Sequence, residues 1–176
     1  MQPILIPAIA EDGSLFPIEK MEAHLQGQLH LAISVFVFSP KGELLIQRRA
    51  ASKYHCGGMW ANTCCSHPNW QEEVSAAADR RMDEELGVYV HLNKIGVVEY
   101  RAAVGQGLIE HERVHMFSGT ADPASLALKP NPDEVDETRW VSLAWLKTAI
   151  EKTSEDFSPW FKLYVERWQD VWAPAA

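Results

Sequence analysis

The chain has few cysteines, no long apolar run and a shortage of positive charge. Its three cysteines, Cys56, Cys64 and Cys65, are odd in number and tightly clustered. That is a poor disulfide framework, and it points to a reduced, cytoplasmic setting. No apolar run reaches the ~18 residues needed to span a bilayer, so no membrane partner is expected. Met1 to Ala10 is apolar, but it lacks a basic residue and is too short for a secretory leader with its flanks. Lys and Arg total 16 against 24 Asp and Glu, a net charge of -8. This balance argues against nonspecific nucleic-acid binding. A local cluster of Arg and Lys still leaves room for a small anionic substrate. Internal repeats, low-complexity tracts and linkers are also lacking.

What is there suits a single domain, 1–176, with a sizeable core: 176 residues, 47% hydrophobic and 23% charged. His30 to Phe38 (HLAISVFVF) reads as a strand, Ser39-Pro40-Lys41-Gly42 as a turn, and Glu43 to Gln47 as the returning strand. Arg48 to Gly58 reads as a loop and Met59 to Ser66 as a short extended stretch. Asn69-Trp70-Gln71-Glu72 has capping-box spacing and predicts a helix start. Val74, Ala78, Met82 and Leu86 then recur every four residues as one apolar stripe, and Gly87 supplies the stop. Strands are expected at Lys94–Ala103, Glu112–Thr120 and Glu137–Val141. A helix from Leu143 to Lys152 would be capped by Ser142, and a last one starts at Ser158-Pro159. The order predicts a mixed α/β domain with helices packed on sheets.

Ser66 to Val88 reads SHPNWQEEVSAAADRRMDEELGV. It resembles the Nudix signature, in which Gly, Glu, Arg-Glu, Glu-Glu and Gly recur at fixed intervals. Ser66 stands at the first Gly, followed by Glu72, Arg80, Arg81, Met82, Glu84, Glu85, Gly87 and Val88, and every spacing holds. Such a helix presents carboxylates that hold Mg²⁺ against a diphosphate, because hard cations take oxygen ligands. Arg81 and Glu85 are four apart and share a helical face. Ser66 replaces Gly, and Arg81 replaces the first Glu of the Arg-Glu pair. Hydrolases of this superfamily use that Glu in their metal cluster, so the replacement argues against hydrolysis.

Further motifs narrow the family. Trp60-Ala61-Asn62-Thr63-Cys64-Cys65-Ser66-His67-Pro68 closely resembles the active-site strand of type 1 isopentenyl-diphosphate isomerases. His30-Leu31-Ala32, Gln47 to Lys53, Tyr100-Arg101, Glu110-His111-Glu112 and Phe157-Ser158-Pro159-Trp160 also match, in order. The resemblance implies a Nudix fold of mixed β-sheets packed with helices. Its core would cover about 28–150, with an N-terminal metal-ligand segment and a C-terminal helix appended. It implies that His24, His30, His67, Glu110 and Glu112 bind one divalent metal, Mn²⁺, Mg²⁺ or Zn²⁺. Glu85 would help bind a second cation, Mg²⁺, that touches the substrate. Cys65 and Glu112 would transfer protons, with Tyr100 beside Glu112. Lys20, Arg49, Lys53 and Arg81 would contact the diphosphate, and Trp160 would turn its π face to a cationic carbon. The partner implied is a small-molecule diphosphate, and the chain is expected as a monomer or weak homodimer.

The chemistry accounts for these residue types. Moving a double bond by one position adds a proton to the terminal alkene carbon and removes one from the allylic carbon. The alkene is a poor base, so the acid must be strong and well positioned. The tertiary carbocation-like intermediate needs shielding from water, and an aromatic face stabilises it. On strands, i and i+2 share a face, so Cys65 and His67 point one way, as do Glu110 and Glu112, while Cys64 and His111 point away. Cys64 reads as a small buried residue, Arg80 as a structural ion pair, and Tyr164 and Trp168 as core. His55, His91 and His115 match no role and read as structural or surface. A structural zinc site lacks its Cys-x₂₋₄-Cys spacing. The competing functions are a Nudix hydrolase of a nucleoside diphosphate derivative, which requires the Arg-Glu pair, and a noncatalytic regulator, which predicts loss of Cys65, Tyr100 or Glu112.

Overall fold

The apolar run His30–Phe38 forms β3, and the sheet is arranged around it. The computed structural model describes residues 3–174. The strands are β1 (Leu5–Ile9), β2 (Leu15–Glu19), β3, β4 (Leu44–Arg49), β5 (Trp60–Ala61), β6 (Cys64–Ser66), β7 (Asn93–Gly105), β8 (Leu108–Thr120) and β9 (Val135–Val141). The helices are α1 (Lys20–Gln26), α2 (Val74–Leu86), α3 (Leu143–Lys152), α4 (Pro159–Arg167) and α5 (Gln169–Trp172). Among the described residues no helix is long and apolar enough to cross a membrane.

Both faces of β3 are buried, which is why its sequence is a continuous apolar run rather than an alternation. Ala32, Phe36 and Phe38 pack on one face with Trp160, Phe161, Tyr164 and Trp172 from α4 and α5. Ile33, Val35 and Val37 pack on the other with Ala77, Ala78, Met82 and Leu86 of α2. The mixed sheet thus carries helices on both faces, as the element order predicts.

The pairing of β3 differs from a simple hairpin. It meets β4 only at Phe38↔Leu44. Along its length it pairs in parallel with β8, from His30↔Glu112 to Phe38↔Thr120. It also pairs antiparallel with β6, with Ser34 opposite Cys65, and meets β1 at Ala8↔His30. With its hydrogen-bonding edges taken, β4 turns away to β9 and β5.

The α2 stripe is as predicted, but the helix begins at Val74 rather than after Asn69. Residues 69–72 form a turn instead, and Gln71 has φ 67, which breaks helical continuity. Asn69 N–H does donate to the Glu72 carboxylate at 2.7 Å. That carboxylate is also gripped at both oxygens by Arg80, at 2.7 and 2.8 Å, so the turn is folded back onto the helix. Gly87 ends α2 with φ 64. Helix α3 runs as predicted, with Ser142 Oγ accepting from Trp145 N–H at 3.1 Å. Strands β4, β7, β8 and β9 each extend beyond the expected limits. The β1–β2 hairpin and α1 were not predicted. Asp12-Gly13 at the hairpin turn was the available signal, but β2 is mostly exposed and its apolar pattern is weak.

Candidate active site

The register of β3 determines the centre of the site. The parallel pairing sets His30 beside Glu112, and the antiparallel pairing sets Ser34 beside Cys65. Helix α1 packs on β8 and brings Lys20 and His24, one turn apart, to the same place.

Ligand atoms of His24, His30, His67 and Glu112 lie within 4.8 Å of one another. His24 Nδ1–H donates to the Lys20 carbonyl at 2.7 Å, and His30 Nδ1–H to the Gln28 carbonyl at 2.7 Å. These bonds fix both tautomers and leave each Nε2 lone pair facing the cluster, the arrangement that orients metal-binding imidazoles. His24 Nε2 is buried with no hydrogen-bond partner. His30 and His67 Nε2 are 3.2 Å apart, and His67 Nε2 is 2.9 Å from Glu112 Oε1. Such spacings suit neighbouring ligands at roughly 2.1 Å from one ion. Nitrogen and carboxylate donors together fit a divalent transition metal or Zn²⁺.

Glu110 and Glu112 share the Tyr100 hydroxyl, at 2.7 and 2.8 Å. Burial works to raise Glu112, but the His30 and His67 imidazoles beside its carboxyl, at 3.6 and 2.9 Å, outweigh it and hold this carboxyl below the usual range. Burial, and then the charge of Glu112, push Glu110 well above it. The Tyr100 hydroxyl thus bridges the two carboxyl groups and fixes their relative position.

Cys65 stands apart from these groups on β6. Asn62 Nδ2 is committed to the Val35 and Cys64 carbonyls at 3.0 and 3.2 Å. Its Oδ1 is thereby turned to accept the Cys65 thiol at 2.7 Å. Ser34 Oγ is 3.1 Å from Cys65 Sγ and 2.9 Å from Tyr164 Oη. Burial pushes the Cys65 thiol well above its ordinary range, so it keeps its proton. Cys64 points into the opposite core, as strand alternation requires.

Lys20, Arg49, Lys53 and Arg81 line the same cavity as Cys65, Glu112 and Trp160. Burial, and then repulsion from Lys53, Arg81 and Arg49, lower Lys20 to about 8. Four cations on one cavity wall can together bind an anion. Arg49 lies 5.2 Å over the Trp160 ring, so that face accepts a cation. Lys53 and Arg81 both pair with Glu134, which sequence reasoning did not single out. Glu85 lies behind Arg81 rather than on the cavity wall. Its carboxylate accepts from Arg81 at 2.7 Å and from Gln47 at 2.8 Å.

Two side chains have surroundings that the sequence does not show. Tyr164 is core, as expected, yet its hydroxyl also reaches the Ser34–Cys65 pair. His55, read as structural or surface, is buried on the cavity wall, with Nε2 3.5 Å from Glu110 Oε1. Burial, and then Arg49, lower it to about 2, so the ring is neutral. No motif in the sequence marks Ser34 or His55.

The NUDIX domain family matches residues 28–161. The chain is 47% identical over 171 residues to the isopentenyl-diphosphate Delta-isomerase of Rhodobacter capsulatus, covering 97% of this chain and 96% of that one. Against the isopentenyl-diphosphate Delta-isomerase of Cereibacter sphaeroides strain KD131 it is 51% identical over 162 residues, covering 92% and 90%. Among solved structures, a Deinococcus radiodurans protein superposes with a TM-score of 0.75 at 15% identity, covering 93% of this chain and 98% of that one. A MutT protein from Methanosarcina mazei gives 0.63 at 20%, covering 81% and 94%. These two likenesses are of fold alone. The family match and the curated relatives together establish that the chain belongs to the NUDIX superfamily and, within it, to the isopentenyl-diphosphate Delta-isomerases.

Proposed function

We propose that this protein isomerises isopentenyl diphosphate to dimethylallyl diphosphate. The observation that carries the reading is a thiol and a carboxylate, Cys65 and Glu112, on one cavity that four cations suited to a diphosphate also line. Burial raises the Cys65 thiol and the neighbouring imidazoles lower Glu112, which suits the two groups to opposite roles in proton transfer. One group gives a proton to the terminal alkene carbon and the other takes one from the allylic carbon, so the proton count is conserved as the double bond moves. The reaction is reversible, so each group serves in both directions.

Tyr100 bridges Glu110 and Glu112 and holds the Glu112 carboxylate in place. Ser34 and Asn62 position the thiol. Trp160 shields the cationic carbon and offers it a π face, an attraction on the order of 1–2 kcal/mol or more once water is excluded. Lys20, Arg49, Lys53 and Arg81 bind the diphosphate and orient the chain. A divalent ion at His24, His30, His67, Glu110 and Glu112 supplies positive charge that holds the cluster together and tunes Glu112. Mg²⁺ arriving with the substrate is a second cation, and Glu85 can serve it only once Arg81 releases that carboxylate to meet the diphosphate.

Hydrolysis of a nucleoside diphosphate derivative is the competing reading. It is disfavoured because Arg81 occupies the position of a metal-binding Glu and neutralises Glu85. Proton NMR of the protein with isopentenyl diphosphate and Mg²⁺ in D₂O, with and without prior EDTA treatment, tests the proposal. Conversion with deuterium incorporation, lost on chelation, is expected. Unchanged substrate under metal-replete conditions sinks the isomerase reading, and phosphate release from nucleotides would then identify a hydrolase.

A further inference from the structure

His55 is the feature that the proposed mechanism leaves unused. It is 3% exposed, and both ring nitrogens are buried without a hydrogen-bond partner. A buried imidazole normally satisfies at least one nitrogen, so an orphaned pair on a cavity wall marks a missing partner. The neighbouring groups do not supply one. Arg49 donates to the His55 carbonyl at 3.2 Å and stands over Trp160. Tyr54 and Trp160 meet the ring edge to face.

The backbone holds the ring inward. Cys56 has φ 50, a left-handed conformation uncommon for a residue with a Cβ. Gly57 packs so closely that a Cβ there would lie 2.5 Å from the Ala51 carbonyl oxygen. Gly58 N–H closes the turn onto the Arg49 carbonyl at 2.9 Å. The strain at Cys56 makes the inward pose of His55 a built feature of the loop.

The ring lies beside two donors of the proposed cation site, His24 and Glu110, in a group that shares His24 with the His24, His30, His67 and Glu112 cluster. Ligand atoms of His24, His55 and Glu110 lie within 4.8 Å of one another. His55 Nε2 is 3.5 Å from Glu110 Oε1, too long for a good hydrogen bond but suited to two ligands of one ion. The His55 and His24 rings stack at 5.7 Å, and His24 Nε2 is likewise orphaned.

We propose that His55 Nε2 is a further ligand of the divalent ion, joining the site on its Glu110 side as a fourth histidine. The five ligands implied by family resemblance do not include it. The inference rests on the cation site of the proposed function. A fourth imidazole shifts the donor set toward nitrogen, which favours Zn²⁺ and Co²⁺ over Mg²⁺.

The test uses the full-length protein with Co²⁺ or Zn²⁺ alone. Proton NMR of the Co²⁺-loaded wild-type protein should show four hyperfine-shifted, exchangeable imidazole N–H signals, for His24, His30, His55 and His67. In competition with a chromophoric chelator, His55→Ala and His55→Gln should each bind Zn²⁺ about 10–100-fold more weakly. Three N–H signals in the wild-type protein, or an unchanged Zn²⁺ affinity in folded variants, overturns the role of His55. In either case a His67→Ala variant that loses the ion leaves the cation site itself standing. Failure of the wild-type protein to take up either metal overturns the site and His55 together.

Discussion

At the scale of single residues, the candidate site sets a thiol and a buried carboxylate on one cavity. Cys65 keeps its proton because its buried pocket disfavours the thiolate, and Glu112 loses its proton because two imidazoles outweigh burial. Cys65→Ala and Glu112→Gln should each lower turnover by at least ~10²–10⁴-fold, the worth of a positioned proton-transfer group. Circular dichroism should show an intact fold, and substantial residual activity in either variant would remove that residue from the mechanism. Lys20 gives a pH dependence. Its folded value of about 8 lies below the ordinary 10.5, so between those limits the unfolded chain holds a proton that the folded chain lacks. Stability of the ligand-free protein should therefore rise with pH through this window. Diphosphate binding should move the opposite way. An anion draws Lys20 back to its charged form, so affinity should fall by up to about tenfold between pH 7 and 9. Calorimetry in buffers of different ionisation enthalpy should register proton uptake on binding near pH 8, and Lys20→Met should abolish it.

At the scale of elements, α2 does two jobs with its two faces. Ala78, Met82 and Leu86 secure it to the sheet, while Arg81 and Glu85 face the cavity side as a buried pair. Arg81 also reaches Glu134 on the approach to β9 and so ties the helix to a neighbouring loop. The Arg81→Ala variant should therefore do more than weaken substrate binding. It leaves Glu85 buried without its cation, a loss of roughly 3–5 kcal/mol for such pairs. At 2–4 °C per kcal/mol for a chain of this size, Tm should fall on the order of 10 °C alongside a raised KM. A variant with a raised KM and an unchanged Tm would show that the pair carries no structural load.

At the scale of the whole molecule, the candidate cation site gathers segments far apart in the chain. His24 comes from α1, His30 from β3, His67 from the end of β6 and Glu112 from β8. An ion that binds only the folded chain stabilises all of these contacts at once. At a metal concentration 100 times Kd the gain is about 2.7 kcal/mol, or on the order of 5–10 °C in Tm. Thermal unfolding with EDTA, then with added Zn²⁺ or Mn²⁺, should show that difference. Identical midpoints would mean that these histidines and carboxylates hold no ion.

The sequence alone determined the elements whose signals are local. The α2 stripe repeats every four residues, β3 is an unbroken apolar run, and Ser142 and Gly87 stand at helix ends. The run from Trp60 to Pro68 and the signature around Arg80-Arg81 were also legible, because their spacing is set by one strand and one helix. Alternation alone placed Cys64 and Cys65 on opposite faces. Only the tertiary structure decided what long-range pairing controls. The parallel register of β3 and β8 puts His30 beside Glu112, and the antiparallel register of β3 and β6 puts Ser34 beside Cys65. A strained loop turns His55 inward, and Glu134 meets Lys53 and Arg81 from another segment. The physical reason is that periodicity encodes which face a residue takes, whereas the partner across a strand pair depends on register and chain topology.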